Sequence, residues 1–205
     1  MSASERILRK FGSESDFAGV YLTFDDGPDP EWTPRVLDVL AEAQARATFF
    51  VVGQSVRAAP VLVRRIAAGG HEIGNHSYSH RHPWTMREGG ARREVRDGAA
   101  AIADTLGRAP HAFRPPHGRM RRCMVEEAAQ GGQRTVLWSR SAVDWGPLGR
   151  ASGIAARLRT VAPGEIVLMH DARRRRNRPD ELLRVLPGLL AELTERRLMP
   201  TVIAA

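Results

Sequence analysis

Short apolar or β-branched runs alternate along the chain with segments whose apolar residues recur at helical spacing. The runs 20–24 (VYLTF), 47–52 (ATFFVV), 71–75 (HEIGN), 111–114 (HAFR), 134–139 (RTVLWS), 165–170 (EIVLMH) and 199–204 (MPTVIA) predict strands. Between them, 33–45 gathers Val36, Leu37, Val39 and Leu40 on one face, and 58–68 gathers Val61, Leu62, Arg65 and Ile66 ahead of Gly69 and Gly70. Further helices are expected over 85–106, 119–130, 151–161 and 180–196, with a kink or break at Pro187. About seven strands alternating with about six helices predict a parallel sheet, because each crossover helix returns the chain to the same edge. A closed or nearly closed α/β barrel is the architecture that fits. No repeat, linker or composition shift marks a second domain, so 19–205 reads as one domain behind an N-terminal extension, 1–18.

Composition narrows this picture. A chain of 205 residues with 42% hydrophobic content can bury a sizeable core. The single Cys123 excludes an intrachain disulfide and a thiolate metal cluster. No run has the length of a signal peptide's apolar core or of a membrane span, which reads as a cytoplasmic protein. The 31 basic against 23 acidic residues give +8, yet Lys10 is the one lysine. So lopsided an arginine excess resembles a coding bias more than a nucleic-acid footprint, and no nucleic acid is expected as a partner. The tightest basic cluster, RRRRNR from Arg173 to Arg178, reads first as a solvated loop.

In α/β barrels chemistry collects at the carboxyl ends of the strands. There the sequence places Asp25 and Asp26, His76 and His80, Arg114, Asp144 and Trp145, and His170 and Asp171. His76 and His80 are four residues apart, a spacing that on one helical turn presents both imidazoles to a single divalent ion. Two imidazoles and one carboxylate leave positions open on zinc or a similar metal, the pattern of a catalytic site. One carboxylate of the adjacent pair can ligate while the other accepts a proton from water. Successive strand residues point to opposite faces, so Asp25 and Asp26 can meet at one centre only if the chain leaves the strand there, and Gly27-Pro28 supplies the turn.

These motifs, in this order, resemble the NodB-type polysaccharide deacetylases of carbohydrate esterase family four, from about residue 20 to the end. The resemblance implies a distorted (β/α) barrel with about seven parallel strands. TFDDGP is similar to the family's first motif and implies Asp25 as general base and Asp26 as metal ligand. HSYSH resembles the second and implies His76 and His80 as the other ligands. RPPHG resembles the third, implying that Arg114 orients the base and the His117 amide helps hold the oxyanion. SAVDW and IVLMHD resemble the fourth and fifth, implying Asp144 and Trp145 around the site, Leu168 as a wall of the acetyl pocket and His170 as general acid.

Two positions depart from the family pattern. His117 stands where an aromatic residue is usual, which makes that wall polar and titratable, and Ser141 stands where the fourth motif usually begins with aspartate. Asp144 can still pair with His170 and favour its charged form. Singly, each residue has an ordinary structural reading: a turn cap at Asp25, a strand histidine at His170, an ion-pair partner at Arg114. The expected function is metal-dependent removal of the N-acetyl group from N-acetylglucosamine units, with zinc the expected metal and a chitooligosaccharide-type substrate. An amidase acting on a small N-acylated amino sugar or nucleotide-linked intermediate is the alternative, to which arginines at the mouth would lend phosphate or carboxylate recognition. A catalytically silent carbohydrate-binding relative is disfavoured, because base, ligands and acid are all present.

Overall fold

The computed structural model describes residues 7–11, 19–174 and 176–204. Residues 1–6 and 12–18 of the expected extension, and Arg175 of the arginine run, lie outside the described residues. The strands are β1 (Ile7–Leu8), β2 (Gly19–Asp25), β3 (Thr48–Val51), β4 (Glu72–Asn75), β5 (Ala112–Phe113), β6 (Arg134–Val136), β7 (Arg140–Ser141), β8 (Ile166–His170) and β9 (Met199–Thr201). The helices are α1 (Trp32–Glu42), α2 (Gly53–Ala58), α3 (Pro60–Ala68), α4 (Glu88–Leu106), α5 (Arg122–Gln130), α6 (Ala151–Leu158) and α7 (Pro179–Glu195). No helix among the described residues is long and apolar enough to cross a membrane.

Every pairing between these strands is parallel, in the order β1-β6-β5-β4-β3-β2-β8-β7, with β9 also on β2. Of the run expected as one strand over 134–139, only the first part forms a strand, β6, which pairs with β5; just past the run's end the chain crosses to β8 as β7. One continuous stretch thereby bends the open sheet into a distorted barrel. Two residues ahead of the expected domain start, Ile7 and Leu8, pair with β6, and Lys10 and Phe11 reach Glu165 and Gly164 just before β8. Residues 7–11 therefore fill the seam that β7 leaves open at the amino-terminal end.

Strand alternation sorts the side chains into two cores. Val20, Leu22 and Phe24 of β2 and Val167 and Met169 of β8 face outward, under α1, α3, α6 and α7. Tyr21, Phe50, Ala112, Val136 and Ile166 face inward, closed off by Leu8 and Ile203. At the top of this lumen the apolar filling gives way to Thr23, Asp25 and the fully buried Arg114.

Two helical details differ from expectation. The helix expected over 58–68 is α3, starting at Pro60, and an unexpected short helix, α2, precedes it, parted from it at Ala59 (φ −134°, ψ 56°), because a residue before proline is disfavoured in the helical region. The kink or break expected at Pro187 is no break: α7 runs through it from Pro179 to Glu195. Pro187 is on the exposed side, where water can satisfy the carbonyl it frees, while Leu182, Leu186, Leu189, Leu190 and Leu193 hold the other face in the core.

Candidate active site

The site begins with Asp25, the last residue of β2, whose backbone is in register with Phe50 on one side and His170 on the other. Asp25 shares the inward face with Thr23, and both meet Arg114: Nη1 donates to Asp25 Oδ1 at 2.7 Å and to Thr23 Oγ1 at 2.8 Å. The guanidinium also donates to the Val136 and Leu137 carbonyls and lies 4.0 Å from the Phe50 ring centroid. Burial pushes the Arg114 pKa down, opposed by the charge and hydrogen bond of Asp25. With Oδ1 engaged, Asp25 Oδ2 is the oxygen turned toward the histidines, 3.6 Å from His76 Nε2.

Asp26 leaves the strand as expected, through a left-handed backbone (φ 79°) that aspartate tolerates better than most residues. Its carboxylate joins Asp25 on the inner side. The turn depends on Gly27: a Cβ there would lie 2.4 Å from an oxygen of Asp171, which is buried beneath the turn and accepts a hydrogen bond from Thr33 Oγ1 at 2.5 Å. Burial, with the charges of Asp26 and Asp25, raises the Asp171 pKa to about 7 against the Thr33 hydrogen bond.

His76 and His80 do meet, but not on a helical turn. Residues 76–82 form a bend in which Ser77 (φ 66°) and His80 (φ 57°) are left-handed, and Glu94 of α4 holds it by accepting from the Tyr78 and Ser79 amides and the Ser79 hydroxyl. The pair singled out by helical spacing thus meets for a different reason. Strained backbone gathers around this mouth: His117 (φ 58°) and Val143 (φ 50°) also lie on its loops.

Asp26, His76 and His80 each offer a ligand atom, and these atoms lie within 4.8 Å of one another. His80 Nε2 is 2.9 Å and His76 Nε2 3.7 Å from Asp26 Oδ1, a buried oxygen with no hydrogen-bond partner among the described residues. His76 Nδ1–H donates to the Arg114 carbonyl at 2.8 Å, which leaves the Nε2 lone pair facing Asp26. Burial, outweighing Asp25 and Asp26, lowers the His76 pKa to about 4, so this imidazole is neutral. Burial opposes charge on Asp26, but His80, His170 and His76 outweigh it and hold its pKa well below the usual carboxylate range. A neutral imidazole, an ionised carboxylate and an orphaned oxygen are the donor state a divalent cation requires.

Across the mouth, Asp144 fixes His170 twice: the His170 amide donates to Oδ2 and Nδ1–H to Oδ1, both at 2.8 Å. Burial disfavours the imidazolium, yet the Asp144 charge and hydrogen bond, with Asp26 and Asp25, raise the His170 pKa to about 9. Trp145 packs edge-on against His170 with centroids 5.4 Å apart, and Leu168 lies buried two residues earlier on the same strand face. His117 is exposed at the rim, its ring 4.6 Å from His80 and 5.3 Å from His82. Ser141 Oγ accepts from the Val143 amide, tightening the turn that delivers Asp144.

The profile of the polysaccharide deacetylase family matches residues 13–136. The chain belongs to this family. It is 38% identical over 166 residues to a chitooligosaccharide deacetylase of Bradyrhizobium sp., an alignment covering 80% of this chain and 76% of the relative. Among solved structures, the family 4 carbohydrate esterase of Streptomyces lividans in complex with acetate superposes with a TM-score of 0.82 at 31% identity, covering 91% of this chain and 93% of that one. The Bc1960 peptidoglycan N-acetylglucosamine deacetylase superposes with a TM-score of 0.88 at 30% identity, covering 97% and 91%.

Sequence reasoning missed several participants. Thr23 lies two residues before Asp25 and so on the same strand face, a signal that period-two alternation carries. Asn177, the one amide in the arginine run, donates to Asp26 Oδ2 at 2.7 Å. The arginines beside it are less available than the run implied. Arg173 pairs with Asp180 and covers the Trp32 ring, and Arg178 pairs with Glu181.

Proposed function

We propose that this chain is a metal-dependent N-deacetylase acting on N-acetylglucosamine units of a chitooligosaccharide-type glycan. The observation that carries the reading is the division of the adjacent carboxylates: Asp26 Oδ1 faces two histidine nitrogens, while Asp25 is held by Arg114 with its second oxygen free. Asp26, His76 and His80 would hold the cation, and zinc suits two imidazoles and a carboxylate. When bound, such a cation polarises the acetamide carbonyl and makes water more acidic. Asp25 Oδ2 takes the proton of the attacking water, and Arg114 keeps the other oxygen in place. The His117 amide donates to the developing oxyanion. His170, kept charged by Asp144, gives its proton from Nε2 to the departing nitrogen, an amine being a poor leaving group unless protonated. Leu168 and Trp145 wall the acetyl group.

Acetate release from chitooligosaccharides and from small N-acetyl amino sugars, with and without chelator, tests this. Chelator-sensitive release from the oligosaccharides is expected. Release from the small sugars alone would move the assignment to a small-molecule amidase. Release from neither, with metal binding intact, would leave a silent carbohydrate-binding protein.

A further inference from the structure

The loop between β8 and α7 carries the arginine run, and its structural connections are not those of a solvated loop. The Arg173 amide donates to Asp29 Oδ2 in the turn after Asp26, at 3.1 Å. Asn177 bridges to Trp145, the Gly146 amide donates to the Arg176 carbonyl, and the Arg178 amide donates to the Asp144 carbonyl, the last two at 2.8 Å. The loop therefore straps the turn bearing Asp26 to the turn bearing Asp144. At its centre, Asn177 Nδ2 meets Asp26 Oδ2 at 2.7 Å.

We infer that Asn177 is a positioning residue for the metal site: its amide occupies Asp26 Oδ2 and so presents the carboxylate to the cation through Oδ1 alone. This rests on Asp26 being a ligand, as in the function proposed above. The physical argument is one of competing oxygens. A carboxylate with both oxygens free can rotate or chelate through both, and it loses orientation with every such alternative. A donor fixed on Oδ2 removes them. Partners that hold a ligating group from behind typically contribute about 10- to 100-fold in metal affinity. Because asparagine is neutral, removing it leaves the charge of the site unchanged, which separates orientation from electrostatics.

The test is Co2+ affinity of the full-length protein, measured by competition with a chromophoric chelator, together with the visible spectrum of the Co2+-loaded protein and the melting temperature of the metal-free protein. Asn177→Ala should bind Co2+ about 10- to 100-fold more weakly. Its spectrum should change, as the released carboxylate alters the coordination, with metal-free melting as in the parent. Asn177→Ser, whose hydroxyl is too short to reach Oδ2, should behave alike and serves where the alanine variant does not fold. Arg176→Ala, on the same loop, should leave affinity at the parent value. Parental affinity in both Asn177 variants overturns the inference while leaving the function reading intact. An equal loss in Arg176→Ala overturns it too, since loop shape would then be the cause. Parental affinity in Asp26→Asn would instead overturn the ligand assignment beneath both.

Discussion

Asp25 and Asp26 are adjacent in the chain and meet different partners because one ends a strand and the other begins a turn. Asp25 keeps the inward direction of β2 and falls to Arg114, while Asp26 needs φ 79° to turn its carboxylate to the same side and falls to the histidines. Asp25→Asn should hold metal with parental affinity and lose roughly 100- to 10,000-fold in turnover, whereas Asp26→Asn should lose both, as read by metal titration beside an acetate assay. The His170–Asp144 pair makes a separate claim about pH. With its pKa raised to about 9, His170 is protonated below that value, so kcat/KM should decline as pH rises through it. Asp144→Asn removes the largest support for the charge and leaves burial, which lowers the pKa, opposed by Asp26 and Asp25 alone. The alkaline limb of the pH–rate profile should therefore move to lower pH; an unmoved limb would assign it to another group.

At the scale of elements, the alternation of apolar runs and helical faces was enough to place every strand among the described residues except β1 and β7, and most helices, because each faces a core on one side and its period follows from that. What the pattern lacked was where one run serves two neighbours. The break of 134–141 into β6 and β7 is decided by β5 and β8, not by any residue within the run. The site residues were legible where chemistry is concentrated in short motifs. Asn177 and Glu94 were hidden because an amide in a basic loop and a glutamate on a helix look like ordinary surface until the fold brings them to the mouth. Pro187 illustrates the opposite case, a local signal for a break overruled by a leucine stripe buried along α7. Pro187→Ala should restore the hydrogen bond to the Leu183 carbonyl and raise stability by about 1–3 kcal/mol, readable as a higher melting temperature.

For the molecule as a whole, barrel closure is shared between β7 at the mouth and residues 7–11 at the floor. Leu8 is buried against the lumen, and Phe11 stacks on Tyr21 with centroids 3.9 Å apart. Deleting residues 1–11 should uncover Val136 and Ile166, at a cost of about 1.5–3 kcal/mol for Leu8 alone. A lower melting temperature with new binding of a hydrophobic dye would register it, and an unchanged melt would mean the seam closes without this segment.

The lumen is stopped at its top by a cation, and this makes Asp25, the carboxylate proposed as general base, part of the protein's architecture. Arg114 is completely buried, and Asp25 is its one carboxylate partner among the described residues. Losing that partner strands a charge, at about 3–5 kcal/mol, against a total stability on the order of 5–15 kcal/mol. Asp25→Ala is thus a folding lesion as well as a catalytic one. The mutational route from this enzyme to an inactive but well-folded descendant is correspondingly narrow. It passes through paired changes at positions 25 and 114, since even the isosteric Asp25→Asn, which keeps a hydrogen-bond acceptor, leaves the Arg114 charge without its counter-ion, so drift away from catalysis is restrained by selection for folding alone.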